Sequence, residues 1–171
     1  MSLKLAIALT LGLLFYCVSA AVIGIDLGTE FIKIGIVKPG SPVDAVLNEQ
    51  SKRKTPAMIG WRNTERHVGE SAKTLSTRFP ITMFKNLNFL IGKQYNKSSE
   101  TFKRVFENFH SAAKVLRNRD RNGTIDLVVD DNTRYSTEEL VAMILQYVKK
   151  LATDNAGSPV VDCVINVSFF F

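Results

Sequence analysis

The hydrophobic pattern changes period several times along the chain, and each change marks an element. Leu5 to Val18 is an uncharged apolar run with Lys4 before it and the small residues Val18-Ser19-Ala20 behind it. These are the three parts of a secretory signal peptide, residues 1–20, and they put the mature start at Ala21. A membrane anchor is the rival reading, because uncharged residues continue to Ile25, about the length that spans a bilayer. Gly24 and Asp26 sit badly at the end of such an anchor, and Val22 to Ile25 reads better as a strand. No membrane association is therefore expected after cleavage.

Behind the leader, Ala21–Ile25 and the alternating Phe31-Ile32-Lys33-Ile34-Gly35-Ile36-Val37 predict two strands joined by a turn at Leu27–Glu30. Pro39-Gly40-Ser41-Pro42 is a turn, Asp44–Leu47 a candidate third strand, and Ala57–Trp61 a further strand. Gly69–Leu75 reads as helical. Thr82–Ile91 carries Met83, Phe84, Leu87, Leu90 and Ile91 at helical spacing, closed by Gly92. Ser99–His110 repeats the pattern with Phe102, Val105, Phe106 and Phe109, aromatics that belong to a core rather than a ligand box. Asn122-Gly123 between two apolar runs predicts a hairpin. Ser136-Thr137-Glu138-Glu139 is a capping box. It opens a helix with Leu140, Val141, Ile144, Leu145, Val148 and Leu151 on one side, ending at Asn155-Ala156-Gly157. Val160–Val167 reads as a final strand of buried type. Three phenylalanines follow, which need a cover.

Composition adds limits. The chain has 171 residues and a formal charge of +6. About 150 residues behind the leader fit one modest domain or part of a larger one. The basic groups Lys52-Arg53-Lys54 and Arg117, Arg119, Arg121 read as solvated loops, so no nucleic-acid partner is expected. Cys17 leaves with the leader, and Cys163 alone forms no internal disulfide; in an apolar strand it is expected to be a buried small hydrophobe. His67 and His110 are isolated, which leaves no His/Cys metal constellation.

The candidate chemistry lies at Gly24-Ile25-Asp26-Leu27-Gly28-Thr29. An apolar run broken by aspartate and then glycine and threonine suits a hairpin whose turn holds phosphates. An ordinary turn is the plain alternative. Three Asn-x-Ser/Thr acceptor patterns occur. Asn122 at the hairpin tip and Asn96 in a polar loop are the glycosylation candidates, whereas Asn166 falls in the strand expected to be buried.

These segments, in this order, resemble the heat shock protein 70 family of ATPases. Val22–Thr29 looks like its first phosphate-binding motif. Gly69-Glu70-Ser71-Ala72-Lys73, Leu90-Ile91-Gly92-Lys93, Tyr135–Glu139 and Val164-Ile165-Asn166-Val167 are similar to successive later segments. Glu30-Phe31, the run Leu47-Asn48-Glu49 to Pro56, and the leader are most similar to the large ER-lumenal branch, the 170-kilodalton glucose-regulated or hypoxia up-regulated group. The resemblance implies an α/β chain with the actin-like ATPase (ribonuclease H-like) fold, residues 21–171 being an incomplete first lobe of the nucleotide-binding domain.

It further implies ATP or ADP with Mg2+ as cofactors, contacted by Gly24, Asp26, Leu27, Gly28, Thr29 and Glu30. Asp26 is the implied metal-side carboxylate, acting through bound waters. Lys73 is the implied catalytic residue, reaching the γ-phosphate. The implied setting is the ER lumen, and the implied activity is that of a stress-response chaperone. Such a protein binds unfolded clients and promotes nucleotide exchange on a BiP-type partner. The family's second phosphate loop and adenosine pocket lie beyond the matching segments, so this chain alone is expected to hold ATP weakly or not at all and not to hydrolyse it. A sugar or metabolite kinase of the same superfold, or an inactive fragment, are the alternatives.

Overall fold

The computed structural model describes residues 21–109 and 111–167. The expected signal peptide, His110 and residues 168–171, which include the terminal phenylalanines, lie outside the described residues.

The main sheet grows from the predicted hairpin. β1 (Ala21–Leu27) and β2 (Phe31–Val37) pair antiparallel from Val22↔Val37 to Leu27↔Ile32. Their period-2 pattern puts Ile23, Ile25, Leu27, Ile32, Ile34 and Ile36 into the core. Burial of side chains of this size stabilises the fold by roughly 1.5–3 kcal/mol each. The other face carries Gly24 and Asp26 against Gly35 and Lys33. β3 (Asp44–Ala45) and β4 (Thr55–Pro56) both pair with β2. β11 (Val160–Val167) runs parallel to β1 on the opposite side, giving the order β11-β1-β2-β3.

Two smaller sheets complete the fold. One has the order β6-β5-β7, from β5 (Ile59–Arg62), β6 (Glu65–Val68) and β7 (Met83–Phe84). The other has the order β10-β9-β8, from β8 (Val115–Arg117), β9 (Ile125–Val128) and β10 (Arg134–Ser136). Trp61 of β5 stacks on Tyr135 of β10 with ring centroids 4.8 Å apart, which ties the two sheets together.

Three helices are described. α1 (Glu70–Ser76) follows Gly69, whose φ of 67° lies in the left-handed region. α2 (Glu100–Phe109) buries Phe102 and Phe109 as expected, while Phe106 is partly exposed. α3 (Thr137–Ala156) packs against the main sheet through Leu140, Ile144, Val148 and Leu151. Its capping box forms as read: Glu139 N–H donates to Ser136 Oγ at 3.2 Å, and Ser136 N–H donates to Glu139 Oε2 at 2.8 Å. Gly157 ends it in the left-handed conformation. No helix among the described residues is long and apolar enough to cross a membrane.

Three expectations fail. The helix expected over 82–91 is instead β7 followed by a single 3-10 turn, Leu87–Phe89. Asn86 interrupts it with φ 57°, and Met83 and Phe84 are drawn into pairing with Gly60 and Ile59. β6 was not expected at all; Asn63, at φ 56°, lets the chain turn back on β5. β11 forms, but beyond Val160 it is exposed, with Val161 at 63% and Val164 at 71%. Among the described residues it has one strand neighbour, and a groove of about 360 Å³ lies between it and α3. Cys163 and Asn166 are therefore exposed rather than buried.

Candidate nucleotide site

Backbone register builds the site. Asp26 of β1 sits directly opposite Lys33 of β2 and is matched to Asn166 of β11. Three neighbouring strands thus set these side chains in a row. Lys33 Nζ donates to Asp26 Oδ2 at 3.0 Å, and Asn166 Nδ2 approaches Asp26 Oδ1 at 3.4 Å. One step along the sheet, Gly24 faces Gly35. With no side chain on either, the sheet surface is bare there, and a Cβ on Gly24 would meet nothing within 4 Å. The result is a shallow depression of about 670 Å³ lined by Gly24, Asp26, Lys33, Gly35, Arg53 and Asn166.

The turn beyond Leu27 has its own constraints. A Cβ on Gly28 would lie 2.5 Å from the carbonyl oxygen of Phe31. The glycine is therefore required by the hairpin itself, before any phosphate is considered. Thr29 Oγ1 is buried and has no hydrogen-bond partner. A buried hydroxyl left unpaired costs about 1–3 kcal/mol, so this atom is the place where a ligand or water oxygen gains most. Glu30 is exposed, and its carbonyl accepts from Ala57 N–H at 2.9 Å. The Leu27 side chain belongs to the core; what it presents to the site is backbone, and its carbonyl accepts from Asn88 Nδ2 at 2.9 Å.

Lys73 stands apart from Asp26. It lies on α1 with Nζ 5.0 Å from the centroid of the Phe31 ring, a cation–π contact. With Thr29, Glu30, Phe31 and Lys85 it lines a second cavity, of about 570 Å³. The structure thus divides the predicted residues. Gly24 and Asp26 share the outer depression, and Thr29, Glu30 and Lys73 share the second cavity, with the turn between them.

Sequence reasoning passed over Lys33, Asn88 and Asn166. Lys33 was readable once the hairpin register was fixed. The other two contacts span 61 and 140 residues and leave no local signal.

The donor set suits a nucleotide held with a hydrated cation. Among the described residues no three His, Cys, Asp or Glu side chains gather to hold a metal directly. A single part-exposed carboxylate, Asp26, instead fits magnesium that keeps several waters and takes its other oxygens from phosphates. The two glycosylation candidates are both on the surface. Asn122 and Gly123 have φ values of 52° and 80°, as a tight hairpin tip requires. Asn96 Oδ1 accepts from Ser98 N–H at 3.1 Å.

A profile of the Hsp70 protein family matches residues 22–171. The chain belongs to the Hsp70 family. Its three sheets and helices are a partial lobe of the actin-like ATPase fold, and the depression at Asp26 lies on the family's first hairpin. The chain is 40% identical over 154 residues to hypoxia up-regulated protein 1 of Xenopus laevis, which covers 90% of this chain and 23% of that protein. It is 34% identical to the proteins of the same name from Danio rerio and Homo sapiens, covering 90% and 88% of this chain and 15% of each relative. The chain therefore spans less than a quarter of the length of these relatives. Membership in the Hsp70 family removes the sugar or metabolite kinase alternative.

Proposed function

We propose that this chain is the front of the nucleotide-binding domain of an ER-lumenal chaperone similar to hypoxia up-regulated protein 1. The observation that carries the reading is the part-exposed carboxylate of Asp26, set by strand register two residues before a turn that is closed tightly at Gly28. In the proposed role Asp26 orients the water shell of magnesium. Thr29 donates its hydroxyl to a phosphate oxygen, and Gly28 keeps the turn tight enough for both. Magnesium, when bound, neutralises phosphate charge. Glu30 adds a negative charge beside the phosphates and weakens their binding. Lys73 enters this reading through the cavity it shares with Thr29, where an ammonium on a long stem reaches a phosphate that overhangs the turn.

The wider role is that of a stress-response chaperone. It binds unfolded client proteins and serves a BiP-type partner as nucleotide exchange factor, reached through the secretory leader at residues 1–20. The 21–171 segment by itself holds ATP weakly or not at all and does not hydrolyse it. The test is calorimetric titration of the whole protein with ATP and magnesium. Asp26→Asn is expected to abolish magnesium-dependent binding, and unchanged affinity would remove the site. Retention in the secretory pathway is checked by imaging a C-terminally tagged chain.

A further inference from the structure

The ion pair between Lys33 and Asp26 has a property that the nucleotide reading does not use. It is fixed by backbone register rather than by a chance meeting of surface side chains, because the two residues are direct cross-strand partners. Its partners are 56% and 39% exposed, so the pair is open to water, and the bare Gly24–Gly35 pair is its neighbour on the same sheet face. Pairs this exposed are held weakly and exchange partners at little cost. The lysine stem is flexible, and its three donors carry no directional demand. Lys33 thus occupies a carboxylate oxygen of Asp26 that would otherwise hold the waters of a hydrated magnesium ion, and it can leave for a nearby anion. Arg53 lines the same depression, which adds positive charge, while Asp44 at its rim subtracts some.

We propose that Lys33 is a resident cation of the phosphate site. Without magnesium it balances Asp26, and when nucleotide arrives it contacts a phosphate oxygen. This inference rests on the nucleotide reading and adds to it a binding residue and a metal dependence. Two consequences follow from one carboxylate serving two cations. Lys33 competes with magnesium at Asp26, and it supplies part of the positive charge that nucleotide binding otherwise takes from the metal.

The test compares the whole protein with Lys33→Met and Lys33→Arg variants, each titrated calorimetrically with ADP in excess magnesium and again with a chelator. The unsubstituted protein is expected to keep measurable ADP binding in chelator. Lys33→Met is expected to lose at least about tenfold in affinity there, and less than about threefold in magnesium, as loss of one charge-assisted contact predicts. Lys33→Arg is expected to restore the metal-free binding. Binding that depends equally on magnesium in the unsubstituted protein and in Lys33→Met overturns the role of Lys33 and leaves the nucleotide site standing. Absence of ADP binding by the unsubstituted protein in magnesium overturns the nucleotide reading itself.

Discussion

The side-chain amide of Asn88 donates a 2.9 Å hydrogen bond to the carbonyl of Leu27, joining the 3-10 turn to the last residue of β1. The bond fixes the point at which the chain leaves the sheet and enters the glycine turn. Asn88→Ala leaves that carbonyl without its partner and is expected to cost about 1–2 kcal/mol. Asn88→Asp is expected to cost at least as much, because a carboxylate cannot donate and repels the carbonyl. Urea denaturation of both variants measures the loss. Equal stability of all three proteins would show that the bond does not hold the turn.

Gly28→Ala tests the turn from inside. Its new methyl would lie 2.5 Å from Phe31 oxygen, which is backbone and cannot swing aside. A loss of about 1–3 kcal/mol is expected, in the range of other overpacked sites. The thermal midpoint should fall in the absence of any nucleotide. A midpoint that is unchanged without nucleotide, together with weakened ATP binding, would instead assign Gly28 to phosphate contact alone.

The capping box predicts a pH dependence. The backbone N–H of Ser136 holds the Glu139 carboxyl below its ordinary value, against an opposing effect of burial, with the Ser136 hydroxyl and Arg121 adding to the lowering. A lowered folded pKa means that the folded state binds fewer protons than the unfolded one. The stabilisation is therefore full above the ordinary glutamate range, about 4.3, and is lost as pH falls through the lower folded value. Ser136→Ala is expected to cost about 1 kcal/mol near neutral pH. Glu139→Gln removes the charge that the Ser136 N–H stabilises, so the stability difference between that variant and the unsubstituted chain should shrink on acidification. A pH-independent difference in chemical denaturation would contradict the assignment.

Tyr147 should be the last tyrosine to ionise. Burial, with the Glu49 and Glu70 carboxylates nearby, pushes its phenol up to about 12. Its ring also lies 3.3 Å from where a Cβ on Gly69 would stand. An alkaline absorbance titration is expected to show a late step that disappears in Tyr147→Phe. Complete ionisation of every tyrosine near the ordinary value of about 10 would disprove it.

Asn96 and Asn122 are expected to carry glycans when the chain is made through the secretory pathway. Both side chains are exposed, and Asn122 lies at a hairpin tip. Intact mass before and after enzymatic deglycosylation counts the glycans, and Asn96→Gln and Asn122→Gln should each remove one. A mass unaffected by the enzyme would rule out both sites.

Local chemistry made some of this molecule readable and hid the rest. The β1–β2 hairpin declared itself because one face alternates isoleucine and leucine with glycine, aspartate and lysine on the other. The long helix did so through Ser136 and Glu139, whose reciprocal bonds are set within three residues. The stretch from Met83 to Ile91 misled because Leu87 and Leu90 are spaced for an α-helix and for a 3-10 turn alike. Only the left-handed backbone at Asn86 separates the two. Glu65-Arg66-His67-Val68 has no alternation to read, since its pairing is dictated by β5. The composition of β11 is that of a central strand, but position in a sheet is not written in a strand's own residues. At the site, Asp26, Gly28 and Thr29 were legible as a motif. Lys33 needed the register, and Asn88 and Asn166 needed the tertiary fold.

The stack of Trp61 on Tyr135 has a practical side. Trp61 is the chain's single tryptophan, it is 7% exposed, and its ring lies 15° from parallel with that of Tyr135. The protein thus carries its own optical gauge at the seam between its two small sheets. Emission from that indole should shift to longer wavelength when the seam opens to water, with no label attached. Any unfolding that leaves the seam closed should pass unseen, so fluorescence and far-ultraviolet dichroism recorded together would tell the seam's opening apart from the melting of α3.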